Sequence, residues 1–192
     1  MAKLESSMKN MVMSLTFISL AASALLAGAY ALTKEPIEQT QLANKEQAIK
    51  DVLPDKEAKV EQPVEINLDG YALPFVIYPA TKNGEIVGAA VETYNDEGYG
   101  GRIKIMVGMD KEGTVSEYSI LETSETPGLG AKAGEWFHAK GDIRGKNPAT
   151  TKFIVTKDGG DIEAITASTI TSRAFLKAVQ CAYDAFMKSQ NK

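Results

Sequence analysis

The stretch RIKIMVGM, residues 102–109, carries the clearest strand pattern in the chain. Its alternate positions place isoleucine and valine on one face, and Lys104 and Met106 on the other. A period of two is typical of a β-strand. The turn sequence DKEG, residues 110–113, leads into a second β-rich run at 115–121, so this region predicts a β-hairpin.

Three further runs show the same strand character, at residues 75–78, 85–94 and 153–155. Short turns that contain glycine join most of these runs, which favours an antiparallel sheet over a parallel one. The chain then closes with a predicted helix over residues 172–188. Its apolar positions recur every three or four residues and need a sheet to cover them: Phe175, Val179, Ala182 and Phe186. The pattern predicts an α+β fold with a packed C-terminal helix.

Composition removes several classes of function. The chain has 192 residues, a net charge of −4 and no basic run, which argues against nucleic-acid binding. Its one cysteine, Cys181, excludes an intramolecular disulfide, and it is expected to be a small buried residue. With His138 as the one histidine, a catalytic triad and a multi-histidine metal site are excluded as well.

Residues 11–32 form an uncharged apolar run. As a helix it would be about 33 Å long, which matches a hydrocarbon core of about 30 Å. Lys3 and Lys9 precede the run, so we expect the amino end in the cytoplasm and the remainder outside. A cleaved signal peptide is the alternative, because residues 29–31 (AYA) resemble a small-x-small cleavage site.

The segment after the apolar run predicts a short helix over residues 34–55 that stops at Pro54, and then a charged linker over 56–63. The chain therefore divides into four predicted parts: a cytoplasmic N-terminus (1–10), a transmembrane helix (11–32), a connecting helix and linker (33–63), and a folded domain (64–192).

Five hydroxyl side chains fall within residues 166–172, directly before the last helix. Serine and threonine are favoured helix N-caps, so capping explains one or two of them. The excess permits a second interpretation, because a helix N-terminus is also a natural seat for a phosphate. The sequence pattern leaves both interpretations open.

Three other stretches are candidates for chemistry. SETPGLGAK, residues 124–132, contains a Pro-Gly pair that indicates a type II turn, either as a plain loop or as a place where a flat ring lies against the backbone. GYGG, residues 98–101, indicates a bulge or a close backbone approach. Trp136 and Phe137 are interpreted as core residues. The alternative is that their side chains cover a bound ring.

Taken in order, GYGG, ETPGLG, Trp136-Phe137 and GGDIEAITASTITSRA resemble the extracytoplasmic FMN-binding domain. That domain occurs in the G subunit of the Rnf electron-transport complex and in the C subunit of the sodium-translocating NADH:quinone reductase. The resemblance covers about residues 71–186, and the single N-terminal anchor fits it too. The short chain is more similar to the Rnf subunit.

In this family a flavin transferase recognises Asp-x-x-Ser/Thr-Gly-Ala-Thr and joins the FMN phosphate to the last threonine. The resemblance therefore implies Thr169 as the attachment site, with Thr166 at the Ser/Thr position. Glu163, Ala167 and Ser168 depart from the family's Asp, Gly and Ala. Beside Thr169, we expect Thr126, Gly128, Leu129 and Gly130 to line the ring, and Thr171 and Arg173 to lie near the phosphate.

The resemblance also implies a function. The chain would be a subunit of an Rnf-type complex, anchored in the inner membrane with its domain on the periplasmic side, and would carry electrons between ferredoxin and NAD⁺ coupled to ion translocation. Its implied partners are other membrane subunits, the flavin transferase and membrane lipid. No catalytic acid or base and no metal are expected in this chain. The alternatives are a stand-alone covalent-FMN protein and a non-redox binding module.

Overall fold

The computed structural model describes residues 7–190, so the first six residues of the predicted cytoplasmic segment 1–10, Lys3 among them, and the last two residues of the predicted domain lie outside the described residues. The helices are α1 (Met8–Val52), α2 (Ala133–Trp136) and α3 (Thr169–Gln190), with 3-10 turns at Gly130–Lys132 and Thr156–Asp158. The strands are β1 (Lys59–Val60), β2 (Val64–Ile66), β3 (Phe75–Lys82), β4 (Glu85–Gly98), β5 (Gly101–Asp110) and β6 (Val115–Thr123).

The described chain divides into two units, one ending at Ala43 and the other beginning at Asn44. The first unit is the greater part of α1, whose described residues up to Ala43 are all exposed. Among the described residues α1 is the one helix long and apolar enough to cross a membrane, and the predicted span 11–32 lies within it. The separate helix predicted over 34–55 is instead the continuation of α1, which accommodates Pro36 and ends at Val52.

The second unit is built on an antiparallel sheet in the order β1-β3-β4-β5-β6, with β2 paired to β3. The α+β fold is therefore confirmed, as are the predicted strands within β3 to β6. The hairpin turn at 110–113 is also present, because the Gly113 N–H donates to the Asp110 carbonyl at 3.0 Å.

The strand predicted at 153–155 is wrong. Val155 makes only an isolated bridge to Ile162. The reason is local: the Thr156 N–H donates to the Ile162 carbonyl at 2.9 Å, and the Ile162 N–H donates to the Ile154 carbonyl at 3.2 Å. The segment folds back on itself at Gly159 (φ +82°) and satisfies its backbone groups without joining the sheet.

One face of the sheet is covered by α3. The alternate residues of β5 that the sequence assigns to one face are buried here, together with the apolar stripe of α3. Phe175 is central: Phe137 stacks on it at 4.3 Å between ring centroids, and Tyr118 meets it edge-on at 5.0 Å. Thr93 adds a buried hydrogen bond from its hydroxyl to the Ala178 carbonyl, at 2.9 Å. This packing fixes the direction in which α3 leaves the loop before it.

The opposite face is covered by the last turns of α1. Four residues are buried there against Ala80, Ala90 and Met106 of the sheet: Ala48, Ile49 and Val52 of α1, and Leu53 directly after the helix. Gly108 permits the close approach, since a Cβ there would collide with the Val52 carbonyl. The compact unit therefore begins at Asn44, earlier than the predicted domain start at residue 64.

A buried ion cluster fastens this end of α1 to the sheet. The Glu92 side chain is 8% exposed and pairs with Lys45 (2.6 Å) and with Lys104. The Tyr78 hydroxyl also donates to this carboxylate at 3.3 Å. Burial alone would raise the pKa of Glu92, but the hydrogen bonds and charges of Lys104 and Lys45 outweigh it, so the pKa lies below the ordinary value of 4.5.

We expect Glu92→Gln to lower the free energy of unfolding by about 1–3 kcal/mol at neutral pH, because an amide cannot replace the charge between two lysines. The folded-state pKa is depressed, so this contribution is present above pH 4.5 and is lost as the pH falls through the folded value. Urea unfolding of the full chain in detergent, at neutral pH and at a series of acidic pH values, measures it.

The matched control is Glu65→Gln, which removes the same charge from an exposed position on β2 and is expected to change little. A gap between wild type and Glu92→Gln that stays constant from neutral pH to below the folded pKa would contradict the assignment.

Candidate functional site

The GYGG stretch, the SETPGLGAK stretch and the hydroxyl cluster before the last helix meet at one cleft of the second unit. The cleft has a volume of about 640 Å³, which lies in the range of small-molecule sites. The β4–β5 turn, the loop after β6 and the start of α3 each contribute part of its wall. The lining residues are Tyr99, Glu125, Thr126, Leu129, Gly130 and the run Ala167, Ser168, Thr169, Ile170, Thr171.

The Glu125 carboxylate joins these three segments. The residue is 7% exposed. One carboxylate oxygen, Oε1, accepts the Gly100 N–H at 3.2 Å, and the other, Oε2, accepts the Thr171 hydroxyl at 2.9 Å. A single buried side chain thus ties the glycine turn, the loop after β6 and the first turn of α3 to one another.

Glycine is required where the backbone comes closest to this carboxylate. A Cβ on Gly130 would lie 2.7 Å from the Thr171 hydroxyl and would collide with Glu125. The loop reaches that position through the predicted type II turn, which is present: the Leu129 N–H donates to the Thr126 carbonyl at 3.1 Å, and Gly128 has φ +78°. The ETPGLG stretch therefore contributes to the cleft mainly through its backbone conformation.

Two of the five clustered hydroxyls serve the fold. Thr171 donates to Glu125, as described. The Ser172 hydroxyl donates to the Ser168 carbonyl at 3.0 Å and accepts the Ile165 N–H at 2.9 Å. These contacts hold the loop before α3 against the first turn of the helix. Both side chains are buried, and both hydroxyls are bonded to protein groups.

Thr169 differs from these buried hydroxyls. It is the first residue of α3, it is half-buried in the cleft wall, and within residues 7–190 its hydroxyl has no hydrogen-bond partner. Within the described residues, neither the Thr169 side chain nor the Ser168 side chain makes a hydrogen bond that caps the helix. The N–H groups of the first helical turn lack partners inside the helix and carry partial positive charge. This arrangement suits an anion that is bound at the helix start, beside the Thr169 hydroxyl.

Apolar side chains line the same cleft as the Thr169 hydroxyl. Tyr99, Leu129 and Ile170 are 74%, 43% and 48% exposed, although all three line the same cleft. Exposed apolar groups gathered at one cleft are typical of a ligand site. The residue set suits a flat aromatic ring that carries a phosphate on a flexible chain.

The structure brings five of the seven predicted cofactor residues to the cleft wall: Thr126, Leu129, Gly130, Thr169 and Thr171. Gly128 shapes the turn but is not part of the wall. Arg173 lines a second cleft, where its guanidinium pairs with Asp158 at 2.6 and 2.8 Å and holds the pKa of that carboxyl below its usual range. Contact between Arg173 and a phosphate remains a prediction.

Sequence reasoning missed Tyr99, Glu125 and Ile170 as individual site residues. Glu125 and Tyr99 lay inside quoted stretches, but nothing in a local pattern signals that a glutamate is buried or that two distant loops share it. Phe137 is confirmed as a core residue, fully buried, and Trp136 packs beside it with its indole N–H donating to the Glu163 carbonyl at 2.9 Å.

Ala167 lies in the left-handed region, with φ +62°. This is the position at which the resembled motif has glycine. Residues with a Cβ rarely adopt this conformation, so the chain holds a strained alanine directly before the hydroxyl pair Ser168 and Thr169.

Comparison with known proteins places these motifs in context. Residues 98–184 match the family model described as FMN-binding domain, a span that includes all three segments of the cleft. The chain is 35% identical over 183 residues to the G subunit of an ion-translocating oxidoreductase complex from Aliivibrio fischeri, covering 90% of this chain and 87% of that one.

Two other relatives show comparable similarity. The protein of the same name from Vibrio cholerae is 33% identical over 177 residues, covering 88% of this chain and 85% of that one. The G subunit of a Na⁺-translocating ferredoxin:NAD⁺ oxidoreductase complex from Acetobacterium woodii is 33% identical over 182 residues, covering 88% and 86%.

We expect Ala167→Gly to raise the free energy of unfolding by about 1 kcal/mol, because glycine adopts the observed backbone conformation without strain. Thermal or urea unfolding of the full chain measures the change. Ala149→Gly is the matched control: it is an exposed loop alanine whose φ is not positive, and there glycine only adds freedom to the unfolded chain. A destabilised Ala167→Gly would contradict the strain.

Proposed function

We propose, since the chain belongs to the family of G subunits of ion-translocating oxidoreductase complexes, that it carries electrons between ferredoxin and NAD⁺ through an FMN bonded to Thr169. The family predicted from the motifs is thereby confirmed. The chain is an Rnf-type flavoprotein subunit of an oxidoreductase complex, and its cofactor is FMN. The phosphoester, the electron-transfer partners and their coupling to ion translocation are the proposal.

One observation carries the choice of Thr169: its hydroxyl lies in the cleft wall, at the start of α3, with no partner among the described residues. Its neighbour Ser168 is 8% exposed, and Thr171 is 1% exposed with its hydroxyl committed to Glu125. Thr166 is exposed but does not line the cleft. Thr169 is the hydroxyl that combines access, cleft wall and helix start.

The residues of the cleft fit FMN. The N–H groups at the start of α3 would hold the phosphate charge, a contribution of about 0.3–1 kcal/mol. Tyr99, Leu129 and Ile170 would cover the apolar part of the ring and exclude water from it. When bound, FMN supplies one- and two-electron chemistry, and the protein's part is to place and tune it. A covalent bond keeps the cofactor at its site whatever the affinity of the cleft.

The apolar helix and the complex-forming relatives make the chain a single-pass membrane protein and a subunit that assembles with others. We propose that the domain lies on the periplasmic side of the inner membrane, that α1 packs against other membrane subunits and lipid, and that a flavin transferase attaches the FMN. The proposed parts of the chain are 1–10, 11–32, 33–63 and 64–192; the third part begins as the continuation of α1, whose last turns pack onto the sheet.

The two alternative functions receive less support. A stand-alone membrane flavoprotein would use the same site, but the relatives are named as subunits of complexes. A non-redox module with a merely capped helix would give the hydroxyls of Ser168 and Thr169 capping bonds, which the described chain does not contain. The Rnf-type electron carrier accounts for both observations.

We expect Thr169→Ala, produced together with a flavin transferase, to fold but to retain no FMN after denaturing precipitation, because the bonded hydroxyl is gone. Flavin fluorescence of the denatured chain and its intact mass are the measurements. Ser168→Ala and Thr166→Ala are the matched controls and should keep their FMN. A full flavin complement on Thr169→Ala, or its loss from Ser168→Ala alone, would contradict the assignment.

A further inference from the structure

The second unit buries two glutamates in very different surroundings. Glu92 is surrounded by two lysines. Glu125 is buried to a similar degree, at 7% exposure, yet within residues 7–190 no lysine, arginine or histidine lies within ion-pair distance of it. Buried charges are ordinarily paired, because removing them from water is costly. An unpaired buried carboxylate in the wall of a ligand cleft therefore calls for an explanation.

The hydrogen bonds of Glu125 do not require its charge. The carboxylate accepts one bond from the Gly100 N–H and one from the Thr171 hydroxyl. A glutamine has the same shape. Its carbonyl oxygen can accept the first bond, and its amide can donate to the Thr171 hydroxyl, which is also an acceptor. The geometry of the cleft would survive neutralisation, so the negative charge itself must serve something else.

The start of α3 offers Glu125 partial positive charge, because Thr171 lies in the first turn of the helix. The phosphate proposed at Thr169 would use the same N–H groups. With that phosphate in place, two anions share the partial positive charge of the helix terminus. The negative charge of Glu125 then acts on any other group that lies in the cleft. In a wall shielded from water such a charge acts strongly.

We propose that the Glu125 carboxylate lowers the reduction potential of the flavin in this cleft. The inference rests on the proposed function, since it requires FMN at Thr169. When two electrons and one proton enter the ring, the bound cofactor gains one negative charge. A fixed negative charge in the cleft wall opposes that gain and favours the oxidised form. Glu125 is thus a positioning residue, through Gly100 and Thr171, whose charge also tunes the cofactor.

The test compares wild type, Glu125→Gln and Glu122→Gln as full chains in detergent, each carrying covalent FMN. Glu122 lies three residues earlier and is exposed, so its variant removes the same charge into solvent. At one solution potential set by a redox dye, the ratio of reduced to oxidised flavin is expected to rise about tenfold in Glu125→Gln. That change corresponds to about 30 mV for a two-electron couple. Glu122→Gln should match wild type.

A second variant separates charge from contact. Thr171→Val removes one hydrogen bond of Glu125 and leaves the charge, so its flavin potential should shift less than that of Glu125→Gln. Equal FMN content with an unchanged or lowered potential in Glu125→Gln would overturn the inference. So would a Glu125→Gln chain that fails to fold or to take up FMN, because the carboxylate would then serve structure or attachment. Wild type without covalent FMN would instead overturn the proposed function.

Discussion

Two hydrogen bonds accepted by one buried carboxylate hold the candidate site together. Gly100 lies in the turn between β4 and β5, Thr171 lies in the first turn of α3, and Glu125 belongs to the loop that follows β6. None of these segments is close to the others in sequence. At the cleft the Glu125 side chain bonds to both of the other segments, and Gly130 leaves room for it to do so.

The rest of the unit keeps those segments in place. The sheet is packed on both faces, by α3 on one side and by the last turns of α1 on the other. The Phe175 contacts set the direction of α3, which determines where Thr169 and Thr171 lie. The ion pairs of Glu92 hold the end of α1 on the far face. Packing therefore positions the site, while the site's own hydrogen bonds shape it.

Much of this architecture can be read from local pattern. The alternation in β5, the DKEG turn and the three- and four-residue spacing in α3 each have one dominant physical cause, and each prediction is confirmed. Residues 153–155 show where local pattern fails: an apolar β-rich run satisfied its backbone within its own loop. Sheet membership depends on partners that the run itself does not encode.

Local sequence pattern likewise predicted part of the candidate site and missed the rest. The ETPGLG turn was predictable, because turn chemistry is local, and Thr169 lies in the cleft wall, as motif order led us to expect. Its bond to FMN stays a prediction. Glu125 and Tyr99 were not predictable, because their importance arises only where three segments meet. Arg173 shows the same limit: it is expected near the phosphate, and the structure adds a pairing of its guanidinium with Asp158 that no local pattern reveals. Its contact with a phosphate stays a prediction.

The most direct test is a crystal structure of the flavin-loaded chain. We expect continuous density from the Thr169 hydroxyl through a phosphate into the cleft, with the ring against Tyr99, Leu129 and Ile170 and the Glu125 carboxylate still bonded to Gly100 and Thr171. Phosphate density on another hydroxyl, or a ring seated in the second cleft beside Arg173, would contradict it.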